Sequence, residues 1–239
     1  MSRLILHIPP GRPWGLGNLS PFCTKLETYL RMTETPYDSK PPSMSGAPKG
    51  KIPYVTLGGE LIGDSQLVME RLERDRGERA LDHGLSERER ATGRAVRRML
   101  EEGTYFTGIH MRWIRDEGFA MISPEMKKLI PGPAGLILRL IRSKLRKTLH
   151  GQGTGRHSHE EIVALAIADY QAVSALLGDQ PFLLGESPRT VDATVYAFLE
   201  GVLRPPLDSE IKRAVLGMAN LVAYTERLRK RYWSDLAEG

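Results

Sequence analysis

Over the first 80 residues, short apolar runs alternate with stretches of helical spacing. Arg3-Leu4-Ile5-Leu6-His7-Ile8 has the length and character of a buried strand and is closed by Pro9-Pro10. A loop rich in glycine and proline runs from Gly11 to Asn18. Ser20-Pro21 then has the composition of a helix start, because serine caps well and proline suits the first helical position. Phe22, Leu26, Tyr29 and Leu30 recur on one face of that helix. Pro36-Tyr37-Asp38-Ser39 predicts a short second strand, and Lys40 to Lys49, with three prolines, is mostly loop. Ile52 to Leu57 and Glu60 to Gly63 read as strands joined at Gly58-Gly59. Asp64-Ser65 opens a helix whose apolar face includes Leu67, Val68 and Leu72. The predicted order is β-α-β-(α)-β-β-α.

Beyond this point no strand pattern returns. Residues 75–85 are polar, hold Gly77 and Gly84, and read as a linker. Ser86 to Glu117 is a long helical stretch, bent near Gly103 and Gly108. Further helices are predicted over Leu136 to Leu149, Glu160 to Leu177 and Thr190 to Leu203, with one or two more between Ser209 and Tyr232. The fold class is α+β, with a small α/β unit over 1–76, a linker over 77–85 and an all-helical unit over 86–239.

Composition narrows the classes. With 239 residues, 41% of them hydrophobic, and a formal net charge of +5, a disordered chain is excluded. No apolar run approaches the roughly 18 residues of a spanning helix. The apolar run at the N-terminus is too short for a secretory signal. The single cysteine, Cys23, excludes an internal disulfide scaffold and fits a reducing, cytoplasmic setting.

The positive charge is local, since residues 121–160 carry eight basic and two acidic side chains. Within them, segment 136–149 holds Arg139, Arg142, Lys144, Arg146 and Lys147. It reads first as a solvated face and second as a docking surface for an acidic partner or an anionic membrane. Aromatic residues are not interleaved with these cations, so nucleic acid is not expected. His150, His157 and His159 cluster in the sequence, but no metal site is expected there.

The chemistry-bearing residues lie in the first unit. Ser20-Pro21-Phe22-Cys23 stands where a loop enters a helix N-terminus, whose free N–H groups and partial positive charge favour a thiolate. The Ser20 hydroxyl could donate to a bound thiolate, or Cys23 could itself be acidified. Against these stand plainer roles: Ser20 as an N-cap alone, and Cys23 as a buried, inert thiol. Lys51-Ile52-Pro53 offers a candidate cis peptide at a strand entry. Gly63-Asp64-Ser65 opens a second helix, with a carboxylate and a hydroxyl suited to an amino-acid-like head group.

Taken in order and at this spacing, Ser20-Pro21-Phe22-Cys23, Gly50-Lys51-Ile52-Pro53 and Asp64-Ser65 resemble the glutathione transferase superfamily. Lys25 to Arg31, Gly151 to Ser158, Leu177 to Phe182 and Thr190-Val191-Asp192-Ala193 look like its failed-axon-connections and metaxin-like branch. The resemblance implies a thioredoxin-like domain followed by an all-helical one, glutathione as co-substrate, and a homodimer. It places Ser20 at the position of the catalytic serine or cysteine, with Phe22 in the same site. Ile52 would pair its backbone with the cysteinyl part of glutathione, and Pro53 would be the cis-proline. Asp64 and Ser65 would hold the γ-glutamyl end and Lys51 the glycyl carboxylate. The electrophile would lie against Tyr105, Phe106, Ile109 and Trp113. Conjugation to a small electrophile is the implied activity. Its rivals are glutathione-dependent reduction or peroxidase chemistry through Cys23, and a non-catalytic binding or assembly role. Arg189 stands where the family usually has Ser or Thr three residues before Asp192, so Thr190 is expected to cap that helix instead.

Overall fold

A computed structural model describes residues 4–43 and 45–236. Four strands form one mixed sheet: β1 (Leu4–His7), β2 (Tyr37–Lys40), β3 (Tyr54–Leu57) and β4 (Glu60–Gly63), in the order β2-β1-β3-β4. β1 runs parallel to β2 and antiparallel to β3, and β4 runs antiparallel to β3. The parallel pair needs a crossover, supplied by α1 (Pro21–Met32). The β3–β4 pair needs only Gly58 and Gly59, both at positive φ (59° and 89°), which is what a tight two-residue hairpin requires. α2 (Ser65–Arg76) packs on the same side as α1. The bracketed helix between β2 and β3 is a single 3-10 turn at Pro48–Gly50. Arg3, expected in the first strand, and residues 237–239, expected in the helical unit, lie outside the described residues.

Alternation along the strands turns Leu4, Leu6 and Val55 toward Leu26, Tyr29 and Leu30 of α1 and toward Val68, Met69 and Leu72 of α2. Segment 77–85 is tied at its middle to both units. The Glu73 carboxylate accepts from Leu81 N (3.2 Å) and Asp82 N (3.0 Å), and Asp82 accepts from Thr190 N (2.9 Å).

The helical unit starts with α3 (Glu87–Met99), capped by a reciprocal Ser86–Glu89 pair. The continuous helix expected to Glu117 is interrupted. It widens at Leu100–Thr104, returns to α4 (Tyr105–Ile109), widens again at His110–Ile114, and ends at an extended Arg115. Such wide turns insert a residue and re-aim the following side chains.

α5 (Asp116–Leu129), which the pattern did not separate, folds back on the second wide turn. A Cβ on Gly118 would lie 1.9 Å from the Met111 carbonyl, so only glycine permits this approach. α6 (Ala134–Gln152), α7 (His159–Leu177), α8 (Thr190–Leu203), α9 (Glu210–Leu216) and α10 (Ala219–Tyr232) complete the unit. α8 is buried from Val191 to Glu200. α1 packs against it, which explains why Thr24, Lys25, Glu27 and Thr28 are buried as well as the apolar face of α1.

Candidate functional site

The loop entering α1 is set by Asn18. Its Nδ2 donates to Pro9 O (3.0 Å), and its Oδ1 accepts from Ser20 N (3.1 Å). Ser20 follows in extended backbone at the N-cap, yet its hydroxyl makes no capping bond. The amides of Cys23 and Thr24 are met instead by the Ser20 carbonyl, each at 3.1 Å. The half-buried Ser20 hydroxyl is thus not spent on the helix.

Cys23, three residues on, is fully enclosed in the core of the α/β unit. Burial pushes its thiol up to about 12, the Ser20 hydroxyl pulling the other way. Phe22 turns toward the helical unit, edge-on to Tyr105 (centroids 5.0 Å apart) and Phe198 (6.3 Å).

The Ile52–Pro53 peptide is cis. Pro53 is buried and Lys51 is exposed. Asp64, at φ 79°, caps α2 through one oxygen, Oδ1, which accepts from Gln66 N (2.9 Å) and Leu67 N (3.3 Å). Ser65, the first residue of α2, is buried.

Between the loop that enters α1, Ile52 and the helical unit lies a cavity of about 180 Å³, which Lys51, Pro53, Asp64 and Ser65 do not line. Ser20 and Ile52 face it from one side, and Tyr105, Ile109 and Trp113 from the other; Ile122 and Met126 of α5 also line it. A second cavity of about 70 Å³ shares Asn18, Leu19, Tyr105 and Arg112 and extends to Tyr170 and Phe198. Three of the four expected wall residues line the larger cavity. Phe106 does not; it packs toward α5 and α6 and meets Tyr105 edge-on at 5.2 Å. Burial keeps the Tyr105 phenol above its ordinary pKa, so it remains a donor.

Family models described as "Glutathione S-transferase N-terminal domain" and "Glutathione S-transferase, C-terminal domain" match residues 21–118 and 166–228. An isoprene-epoxide glutathione S-transferase of Rhodococcus sp. (strain AD45) is 32% identical over 235 residues, covering 92% of this chain and 95% of that protein. The chain belongs to the glutathione transferase superfamily. Failed axon connections of Drosophila melanogaster is 28% identical, across 93% of this chain but only 56% of its own length. Metaxin-2 of Homo sapiens is 22% identical across 81% of the chain and 74% of its own length. Among solved structures, a glutathione transferase from Phanerochaete chrysosporium matches 97% of this chain and 98% of its own, with a TM-score of 0.67 at 14% identity.

Three features of this candidate site escaped the sequence. Lys25 is fully buried, and its Nζ donates to Glu101 Oε1 (2.6 Å) and Gln66 Oε1 (2.8 Å). It thereby ties α1 to α2 next to Asp64 and to the first wide turn. Asn18 sits in a stretch with no periodic signal. Arg112 lies seven residues beyond Tyr105, two turns along the same stripe, and that spacing was the available clue.

The basic segment of the transferase is partly structural. Arg142 donates to Trp113 O (2.8 Å), Ile114 O (2.7 Å) and Asp116 Oδ1 (2.5 Å), while Arg139, Lys144, Arg146 and Lys147 are exposed. His159 turns to His110 (3.3 Å) and His157 to Glu161 (3.3 Å). Among the described residues, no group of three or more potential ligands is placed to hold a metal ion, and no helix is long and apolar enough to cross a membrane.

Proposed function

We propose that the protein binds glutathione along the Ser20, Ile52-Pro53 and Asp64-Ser65 loops and transfers its sulfur to a small electrophile held in the adjoining cavity. The observation that carries this reading is the Ser20 hydroxyl, free of any helix-capping bond, on the wall of a cavity whose opposite wall is aromatic and apolar.

The Ser20 hydroxyl donates to the glutathione sulfur and favours the thiolate. A charge-assisted hydrogen bond of about 1.5–3 kcal/mol lowers a thiol by about one to two pKa units. The thiol proton leaves to solvent, the thiolate attacks the electrophilic carbon, and a carbon–sulfur bond forms as that carbon's bond to the leaving atom breaks. For an epoxide the ring C–O bond opens, and its oxygen takes the electron pair and a proton from solvent. Asp64 Oδ2, which has no hydrogen-bond partner among the described residues, is available to the amino group of the γ-glutamyl end. Lys51, exposed beside Ile52, is available to the glycyl carboxylate. We place the chemistry on Ser20 rather than Cys23 because a fully enclosed thiol pushed up to about 12 is neither accessible nor ionised near neutrality. The Rhodococcus relative makes an epoxide the first electrophile to try.

Ser20→Ala is expected to slow conjugation about 10- to 100-fold near pH 6.5, with the gap closing as pH rises toward the ordinary thiol range. Glutathione affinity by calorimetry should change little. Unchanged turnover in Ser20→Ala would remove Ser20 from the chemistry.

A further inference from the structure

Arg112 stands on the wall that the two cavities share. Its Nη1 donates to Leu19 O at 2.9 Å, and its Nε lies 3.5 Å from Gly108 O, the far limit of a hydrogen bond. The buried cations Lys25 and Arg229 each have a carboxylate: Lys25 has Glu101 at 2.6 Å and Arg229 has Glu200 at 2.7 Å. Among the described residues Arg112 has none. The groups that favour its charge are the phenols of Tyr105 and Tyr170, both neutral at physiological pH. Burial acts against the charge, but a guanidinium stays protonated in a protein. A half-buried cation on a cavity wall without a counter-charge is poised for an anion that enters the cavity. The surrounding side chains, Tyr105, Trp113 and Phe198, offer a flat apolar lining and no anion.

We infer that Arg112 is the specificity-determining residue of the second-substrate pocket, and that its preferred electrophiles carry a carboxylate or equivalent fixed oxyanion on an aromatic or similarly apolar body. The guanidinium fork matches a carboxylate through two parallel hydrogen bonds, and the aromatic walls cover the remainder. The inference rests on the transferase reading for the purpose of the pocket. The anion site itself is read from the cavity walls. The carboxylate takes no part in the bond changes: sulfur bonds to the electrophilic carbon, the leaving group departs with its electron pair, and the thiol proton goes to solvent.

Two matched probes test the site without turnover. Calorimetry would compare 3,5-dinitrobenzoate with 1,3-dinitrobenzene, which differ by the carboxylate alone. The wild-type protein is expected to bind the benzoate about 10-fold more tightly, a ratio that one charge-assisted pair supplies. Arg112→Met should abolish the preference and leave 1,3-dinitrobenzene binding unchanged, while Arg112→Lys keeps part of it. Should Arg112→Met not fold, Arg112→Gln, which retains a donor for Leu19 O, carries the same test.

Equal binding of both probes by the wild type would overturn the inference. So would a preference that survives Arg112→Met, or an equal loss for both probes, which would mark Arg112 as a clamp on Leu19 beside Ser20. Turnover of glutathione with 1-chloro-2,6-dinitrobenzene reads the transferase activity separately. A carboxylate preference without turnover would support the anion site and sink the transferase reading.

Discussion

Lys25 places its amino group in the middle of α1 with no exposure to solvent. Burial acts to lower its pKa, and Glu101 opposes this. Glu101 is shared, since its other oxygen accepts from Arg97 (2.9 Å). The two partners should therefore not respond alike. Glu101→Leu strands both Lys25 and Arg97 and should cost about 3–5 kcal/mol, the range for breaking a buried pair. Lys25→Met leaves Glu101 its bond to Arg97 and should cost less. The double variant should recover most of the loss, because a buried pair replaced by apolar side chains is often neutral. Urea unfolding of the three variants checks the order, and equal costs for the single changes would show that Arg97 does not share the carboxylate. None of this was legible in the sequence. Thr24, Lys25, Glu27 and Thr28 lie off the stripe of Phe22, Leu26, Tyr29 and Leu30, and Glu101 lies 76 positions from Lys25. The helix starts at Ser20 and Asp64 and the cis Ile52–Pro53 peptide were legible because loop and cap chemistry is local to the chain.

Among the elements, β4 and α8 stand where the sequence pattern put them, and Ser158 caps α7 as its position before Glu161 suggests. α5 was missed because Gly118 and Pro124 lie inside it and mask its helical character. The wide turns flanking α4 were foreshadowed only as bends, since one inserted residue shifts an apolar stripe without erasing it.

The start of α8 departs from expectation in an informative way. Thr190 does not cap the helix; its hydroxyl donates to Asp82 Oδ2 (2.6 Å). Asp192 accepts from Arg189 N (2.7 Å), Leu183 N (2.9 Å) and the Tyr224 hydroxyl (2.7 Å). Burial still outweighs these donors and takes its carboxyl up to about 6. A folded-state pKa above the unfolded one means that the folded chain holds the proton more tightly. The contribution of Asp192 to stability is then fully present below about pH 4 and is lost as pH rises through about 6. Asp192→Asn, which cannot ionise, should remove this component. Relative to that variant, wild-type stability should fall by at most about 3 kcal/mol between pH 4 and pH 7. Parallel stability curves for the two proteins would show that Asp192 does not titrate in this window.

For the whole molecule, the end of the described chain adds a link between the two units beside the packing of α1 on α8. Trp233 is fully buried, and its indole N–H donates to Thr28 Oγ1 (3.2 Å) in α1. The Arg31 guanidinium lies 3.9 Å from the ring centroid. A Cβ on Gly17 would come within 2.8 Å of the indole, so the loop that leads into Ser20 rests directly on this ring. Arg229 adds a second tie, donating to Gly15 O (3.0 Å), Glu200 Oε1 (2.7 Å) and Leu236 O (2.8 Å). The shape of loop 11–19, and with it the position of the Ser20 hydroxyl, is thus set from the far end of the helical unit. Trp233→Ala should cost about 3–5 kcal/mol through the cavity it leaves. It should also lower turnover more than its effect on the folded fraction explains. Trp233→Phe keeps most of the volume and loses one hydrogen bond, so a cost near 1 kcal/mol and near-normal turnover are expected. Thermal unfolding alongside conjugation kinetics separates the two effects. A Trp233→Ala protein that is less stable but turns over normally per folded molecule would show that Asn18 and Arg229 hold the loop without the indole, and that Trp233 serves stability rather than the placing of Ser20.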